Sequence, residues 1–291
     1  MTGHKVPRIR QPVKHRKSTG FKRRFAQHFL EPVWTKKVVH AIQPLQSDCF
    51  LEIGPGRGAL TWELVKTGAT VQAIEIDPDL SAFLAKTSHP LVTVRTGDIL
   101  SLDLTAIAVE STRFSQSQSP TIRIVGNLPY NISAPILLKL FAAYDNGVQV
   151  RDAVVMLQQE MAERLAANHG NRNYGPLAIA RSLRADAKIL FSLPPGAFRP
   201  SPSVTSAIVS LNFRKPPVFP ANQFLFESMV RHLFTKRRKQ STNALSAFAF
   251  RFGVSALDVF RRARIDGRLR PSELSVADLI SLAETIESLR P

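Results

Sequence analysis

From Phe25 onward, short apolar runs alternate with stretches of helical period. Cys49–Ile53 (CFLEI) is an apolar run ending at a glycine turn, the pattern of a buried strand, and Ala59–Lys66 reads as the helix after it. Val71–Ile76 (VQAIEI) predicts a second strand and Pro78–Lys86 a second helix. Val92–Arg95 predicts a third strand, Ile122–Val125 (IRIV) a fourth and Ala153–Leu157 (AVVML) a fifth. Strand–helix alternation of this kind predicts an α/β fold with a parallel sheet and helices on both faces.

Three stretches break the pattern. Residues 1–20 mix Pro, Lys, Arg, Ser and Gly without a hydrophobic period, and read as a flexible arm. Ser111–Thr121 (STRFSQSQSPT) is polar and reads as a surface loop without function. Arg214–Asn222 (RKPPVFPAN) contains three prolines, after which Phe224, Phe226, Met229, Val230, Leu233 and Phe234 recur at helical spacing. These breaks divide the chain into an arm (1–20), an α/β domain (21–215) and a small helical C-terminal domain (216–291).

Charge changes the picture. The 291 residues include 39 Lys and Arg against 22 Asp and Glu, a net charge of +17. Nine bases and no acid fall within residues 1–24, and 12 bases against 7 acids within 221–291, while the middle is close to neutral. Basic ends around a neutral middle point to nucleic acid, because Lys and Arg displace counterions from phosphates. Lys236-Arg237-Arg238-Lys239 is the densest cluster of the C-terminal part. A solvated tail that only aids solubility is the alternative reading of the arm. The single cysteine, Cys49, and seven scattered histidines exclude the usual multi-cysteine zinc and iron–sulfur sites. No run approaches the ~20 apolar residues of a membrane helix, and the N-terminus lacks the apolar stretch of a secretion signal. The expectation is a soluble, cytoplasmic monomer with an anionic partner and neither metal nor membrane.

Candidate chemistry gathers at strand ends. Leu51-Glu52-Ile53-Gly54-Pro55-Gly56-Arg57-Gly58 runs from a strand through a glycine turn into a helix. Its G-x-G-x-G spacing differs from the G-x-G-x-x-G of dinucleotide sites, where a pyrophosphate meets a helix N-terminus. Glu52 beside the turn disfavours a pyrophosphate and can attract the ammonium or sulfonium of S-adenosylmethionine. Glu75 ends the second strand, where a carboxylate can accept both ribose hydroxyls of either cofactor. Asp77 is an alternative, although Pro78 after it marks a helix start that Asp would cap. Asp98, after the third strand, can accept from an adenine amino group.

Asn127-Leu128-Pro129-Tyr130 follows the fourth strand. An exocyclic adenine amine is a poor nucleophile because its lone pair is delocalised into the ring. The Asn127 side-chain oxygen and the Leu128 carbonyl can accept its hydrogens and hold it in line with a methyl donor, with Tyr130 stacking on an extruded base. An ordinary Asn-x-Pro turn is the other reading of the same residues.

Taken together, FAQHFL (25–30), LEIGPGRGALT (51–61), AIEID (73–77), TGDIL (96–100), VGNLPYNISAP (125–135), MLQQEMAERL (156–165), YGPLAI (174–179) and PPGAFRPSPSVTSAIV (194–209) resemble the KsgA-type rRNA adenine dimethyltransferases from about Phe25 to the C-terminus. The resemblance implies a class I (Rossmann-like) S-adenosylmethionine-dependent methyltransferase domain followed by a small all-helical domain. It also implies dimethylation of two adjacent adenosines near the 3′ end of 16S rRNA in an immature 30S subunit. In that family the segment matching Gln27–Leu30 closes over the cofactor, with His28 and Leu30 in contact, and Gly54, Glu75, Asp98 and Asn127 match further cofactor contacts. Asn127 and Leu128 would orient the amine, and Phe198 would flank the target adenine opposite Tyr130. Many relatives carry Asn at the position of His28, which leaves the backbone there as the contact independent of side chain. The basic arm is longer than the family core requires. Methyltransferases acting on large-subunit rRNA share these motifs, but Leu128 and the LPP-x-AF-x-P-x-P run favour the small-subunit reading. A ribosome assembly factor whose methylation is secondary is the alternative from a different class.

Overall fold

The computed structural model describes residues 28–112 and 121–290. The basic arm, Phe25–Gln27 of the FAQHFL segment and most of the polar loop before Ile122 lie outside them.

The five apolar runs form the parallel half of one seven-stranded sheet. They are β2 (Cys49–Ile53), β3 (Thr70–Glu75), β4 (Val92–Thr96), β5 (Ile122–Asn127) and β6 (Val150–Gln158), preceded by a two-residue β1 (Phe29–Leu30). Two strands that the hydrophobic pattern did not single out complete the sheet: β7 (Ala185–Leu193) and β9 (Ser206–Phe213), with a two-residue β8 (Phe198–Arg199) between them. The order is β4-β3-β2-β5-β6-β9-β7, with β9 antiparallel to both neighbours, so the sheet is mixed rather than wholly parallel.

Side chains alternate across the strands, and each face is covered. On one face Leu51, Ile53, Ile124 and Val155 pack with α4 (Leu104–Thr112), α5 (Ser133–Asp145) and α6 (Gln159–Ala166). On the other, Phe50, Val71, Val125 and Val154 pack with α1 (Pro32–Ile42) and α2 (Ala59–Val65). The helix after β3, α3 (Pro78–Ala85), is capped by the Asp77 carboxylate, which accepts from the amides of Asp79 and Leu80. Ser111 and Thr112 close α4 instead of opening a loop, and the Ser111 hydroxyl bonds the Ile107 carbonyl.

A second core joins α7 (Pro176–Ser182) to α8 (Gln223–Thr235), α9 (Ser241–Phe250), α10 (Ala256–Ala263) and α11 (Val276–Leu289). Tyr174, Ala178, Ile179 and Leu183 pack in it with Met229, Leu245 and Leu282. The apolar core of the C-terminal helices therefore reaches back across residue 216 into the α/β region. Among the described residues no helix is long and apolar enough to cross a membrane.

At the amino-terminal edge of the sheet, Arg123 of β5 is buried between two carboxylates. Its guanidinium lies 2.7 Å from Asp48 and 2.7 Å from Asp152, and donates to the carbonyls of Ile42 and Gln43 at the end of α1. Removing one partner of such a network leaves buried charge uncompensated. Arg123→Ala should lower the unfolding free energy by about 3–5 kcal/mol, measured by urea denaturation. A change near zero would show that the network carries no net stability.

Candidate active site

The strand order reverses between β2 and β5, the switch point at which open α/β sheets bind ligands beyond their carboxyl ends. A cavity of about 420 Å³ lies there. Its walls include Gly54 and Gly56 after β2, Glu75 ending β3, Gly97 and Asp98 after β4, Asn127-Leu128-Pro129-Tyr130 ending β5, and His28-Phe29-Leu30 from the start of the described chain.

The turn after β2 depends on its glycines. Gly54, Gly56 and Gly58 have φ of 69°, 59° and 83°, a left-handed backbone that side chains oppose. A Cβ on Gly56 would also meet the Phe29 ring at 3.0 Å. The turn delivers the Gly56 amide to Glu75 Oε2 at 2.9 Å, while Glu75 Oε1 accepts from the Asp77 amide at 3.0 Å. A carboxylate has about four acceptor sites. With one protein donor on each oxygen, Glu75 keeps one acceptor position per oxygen for a vicinal diol. Asp98 Oδ1 accepts from the Leu100 amide at 2.9 Å, which sets the side chain beside the cavity. Asp77 is occupied in capping α3 and does not line the cavity.

Burial shapes the electrostatics. Glu52 lies within β2, beside the turn. It is 1% exposed, and its Oε2 accepts from the Thr61 hydroxyl at 2.6 Å. Loss of solvent pushes its carboxyl up to about 7, with the charge of Glu75 adding to the effect and the Thr61 hydrogen bond opposing it. Desolvation also raises Glu75, against the pull of the Asp77 and Gly56 amides. A cation in the cavity would therefore draw both acids into their charged forms, whereas a diphosphate would meet added repulsion.

Asn127, Leu128 and Tyr130 are fixed by partners at long sequence separation. Asn127 Nδ2 donates to the His28 carbonyl at 2.9 Å, which commits the amide nitrogen and leaves Oδ1 as the acceptor. Leu128 is fully buried, its amide bonded to the Met156 carbonyl, so its backbone is held on the cavity wall. The Tyr130 hydroxyl lies 2.6 Å from Ser206 Oγ, and burial raises its pKa despite that bond. Ser206 lies 76 residues from Tyr130 in a run of small residues, and no spacing in the sequence marks it as a partner.

Phe198 stands elsewhere. Its side chain has 0% exposure, and β8 pairs antiparallel with β1, setting Phe198 opposite Leu30 and Arg199 opposite Phe29. It belongs to the apolar cluster of Leu30, Met156 and Ile208 and does not line the cavity. Phe198, which the resemblance sets beside the target adenine, is thus buried next to the site, paired through β8 with Leu30 of the cavity wall. Among the described residues no group of three His, Cys, Asp or Glu side chains could hold a metal.

A family model described as ribosomal RNA adenine dimethylase matches residues 18–288. The chain is 38% identical over 269 residues to Ribosomal RNA small subunit methyltransferase A of Legionella pneumophila (strain Corby), covering 92% of this chain and 98% of that protein. It is 39% identical over 266 residues to the protein of the same name from Xanthomonas oryzae pv. oryzae (strain PXO99A), covering 90% and 95%. Among solved structures, a dimethyladenosine transferase from Plasmodium falciparum superposes with a TM-score of 0.72 at 25% identity, over 88% of this chain and 96% of that one. The 23S rRNA methyltransferase ErmE superposes with a TM-score of 0.63 at 23% identity, over 89% and 99%, a likeness of fold.

The raised Glu52 has a consequence for stability. Native Glu52 holds its proton up to about pH 7, whereas the unfolded side chain releases it near 4.5. Between these values the native state binds more protons, so this stabilisation is full at low pH and is lost as pH rises through 7. Glu52→Gln keeps an acceptor for Thr61 and removes the titration. Relative to wild type, it should gain up to ~3 kcal/mol above pH 7 compared with pH 4, read by denaturation at both pH values. A pH-independent difference would mean that Glu52 is not the titrating group.

Proposed function

The chain belongs to the ribosomal RNA adenine dimethylase family, and from that premise we propose how its site works: S-adenosylmethionine-dependent N6,N6-dimethylation of adenosines in small-subunit (16S) rRNA. The observation that carries this reading is the Asn127–His28 bond, which orients an amine acceptor at the edge of a cavity with Glu75 and Asp98 on its walls.

S-Adenosylmethionine supplies an electrophilic methyl group on a sulfonium. The donor set fits it: Glu75 has acceptor capacity for the ribose hydroxyls, Asp98 for the adenine amino group, and the glycine turn for close backbone approach. On this reading His28 and Leu30 cover the cofactor from the strap over the site, and Gly54 contacts it from below. Asn127 Oδ1 and the Leu128 carbonyl accept the hydrogens of the target amine. They fix its direction and stabilise the positive charge that grows on nitrogen as the carbon–nitrogen bond forms, and the proton leaves afterwards. No strong base is required, because the methylated ammonium is far more acidic than the amine. Tyr130 stacks on the extruded base. A second methylation needs only rotation of the first methyl away from the cofactor.

The substrate is an rRNA. We place the chain, as a cytoplasmic monomer, on the maturing small subunit, with two adjacent adenosines near the 3′ end as targets and residues 216–291 gripping RNA. The turn 236–239 between α8 and α9 supports that grip, since Arg237, Arg238 and Lys239 are exposed.

Asn127→Ala should fold and bind S-adenosylmethionine but lose about 10²–10³ in methylation rate, the loss typical of one transition-state hydrogen bond. Mass spectrometry of nucleosides from treated small subunits should show N6,N6-dimethyladenosine as the wild-type end product. Monomethyl product at long times, or full activity of the variant, would overturn the assignment.

Neutralising Lys236, Arg237, Arg238 and Lys239 together should weaken RNA binding. The slope of log affinity against log salt should become shallower by somewhat under one unit per lost phosphate contact. An unchanged slope in a salt titration would remove this turn from the interface.

A further inference from the structure

We propose that Lys139 is a positioning residue of the cofactor site: its ammonium holds the turn 98–103 so that Asp98 presents its carboxylate to the adenine amino group of the cofactor. This rests on the S-adenosylmethionine reading above and adds to it a residue of α5 that does not itself line the cavity.

The turn is built on Asp98. Its Oδ1 accepts from the Leu100 amide at 2.9 Å, and its carbonyl accepts from the amides of Ser101 and Leu102 at 2.9 and 3.1 Å. Ile99 and Leu104 are buried in the core on one face of the sheet, which anchors the segment without fixing the direction of its peptide groups. That direction is set from α5. Lys139 Nζ donates to the carbonyls of Leu100 and Leu102, each at 2.6 Å. Leu100 therefore has its amide on Asp98 and its carbonyl on Lys139.

A lysine on a solvated helix face extends its ammonium into water. This side chain folds back instead, spending two of its three donors on one turn, and bonds from a charged donor are about twice as strong as neutral ones. The position on α5 matters as well. The helix starts at Ser133, just after the tetrapeptide, where the Ile132 amide bonds the Pro129 carbonyl at 3.1 Å. One rigid helix thus continues from the amine-holding residues and, about two turns on, braces the turn that carries Asp98. Without the brace, the Leu100 amide is free to rotate off Asp98 and the carboxylate loses its fixed direction. The loss falls on the base end of the cofactor, because Glu75 at the ribose end is held by the Gly56 and Asp77 amides. A fixed acceptor at Asp98 separates a 6-amino purine, which donates, from a 6-oxo purine, which presents an oxygen.

Calorimetry on the full chain with S-adenosylhomocysteine and its inosine counterpart, in which an oxo group replaces the 6-amino group, tests the assignment. Wild-type protein should prefer the adenine form by about 10- to 100-fold, the range of one hydrogen bond to a charged acceptor. Lys139→Met should cut that preference by about fivefold or more. Lys139→Arg, which keeps a cation able to span two carbonyls, should restore most of it. Lys139→Gln keeps one donor and should fall between, and it takes the place of the Met variant if that fails to fold. The preference is a ratio of two affinities from one sample, so any unfolded fraction cancels. Asp98→Ala should abolish the preference, and adding Lys139→Met to it should change the ratio no further. A ratio unchanged by Lys139→Met, whether or not both ligands weaken, or a further change in the double variant would overturn the proposal alone. Equal binding of the two compounds by wild type would overturn the role of Asp98, and binding of neither would overturn the cofactor reading, in each case taking the proposal with it.

Discussion

One hydrogen bond, from Asn127 Nδ2 to the carbonyl of His28, ties the site together across 99 residues. An Asn side chain at the end of a strand can present either its oxygen or its nitrogen to a ligand. The His28 carbonyl accepts only from the nitrogen, so the oxygen is left as an acceptor. That choice holds only while the strap 28–30 lies over the cavity. The strap is kept there by the β1–β8 pairing and by the Glu31 amide on the Ala197 carbonyl at 2.9 Å. The chemistry of β5 is thus conditional on a two-residue ladder formed by distant segments.

The cavity and the surface carry opposite charge, and this separates two kinds of recognition. The cavity walls hold Glu52, Glu75 and Asp98, and desolvation raises the pKa of the first two. A sulfonium ligand would stabilise their ionised forms. The protein as a whole carries +17, with bases concentrated toward its ends. Long-range attraction of RNA phosphates therefore acts at the exterior, while Glu52 and Glu75 of the cavity wall are buried. A diphosphate-bearing ligand would satisfy the exterior field but not the cavity.

Placement of the C-terminal helices follows from shared burial. Helices α8–α11 do not hang from the proline-rich segment after β9; they pack with Tyr174 and α7 in one apolar core. Arg184, bidentate to Asp145 at the end of α5, reaches across the junction to Glu227 of α8 at 3.9 Å. Arg237 reaches the Arg172 carbonyl across the same boundary at 2.5 Å. The basic turn 236–239 is held by this core in a defined position relative to the cavity.

The sequence by itself determined the five parallel strands and the residues at their ends. Strands largely buried on both faces, as β2, β3, β5 and β6 are, read as apolar runs whatever surrounds them, and β4 at the edge shows alternating valines. The carboxyl ends of these strands around a switch point face one crevice. Gly54, Glu75, Asp98, Asn127 and Tyr130 were legible for that reason, each close in sequence to its own strand. The strands β7 and β9 were not, because β7 lies at the sheet edge with half-exposed residues such as Ile189 and Phe191, and its register is set only by pairing with β9. Tertiary structure alone decided where Phe198 and His28 stand relative to the cavity. Phe198 and His28 lie in two segments whose side-chain directions depend on the β1–β8 ladder. Helical and strand periods report burial along one element, but which of two aromatic rings points into a cavity depends on a register between elements 169 residues apart.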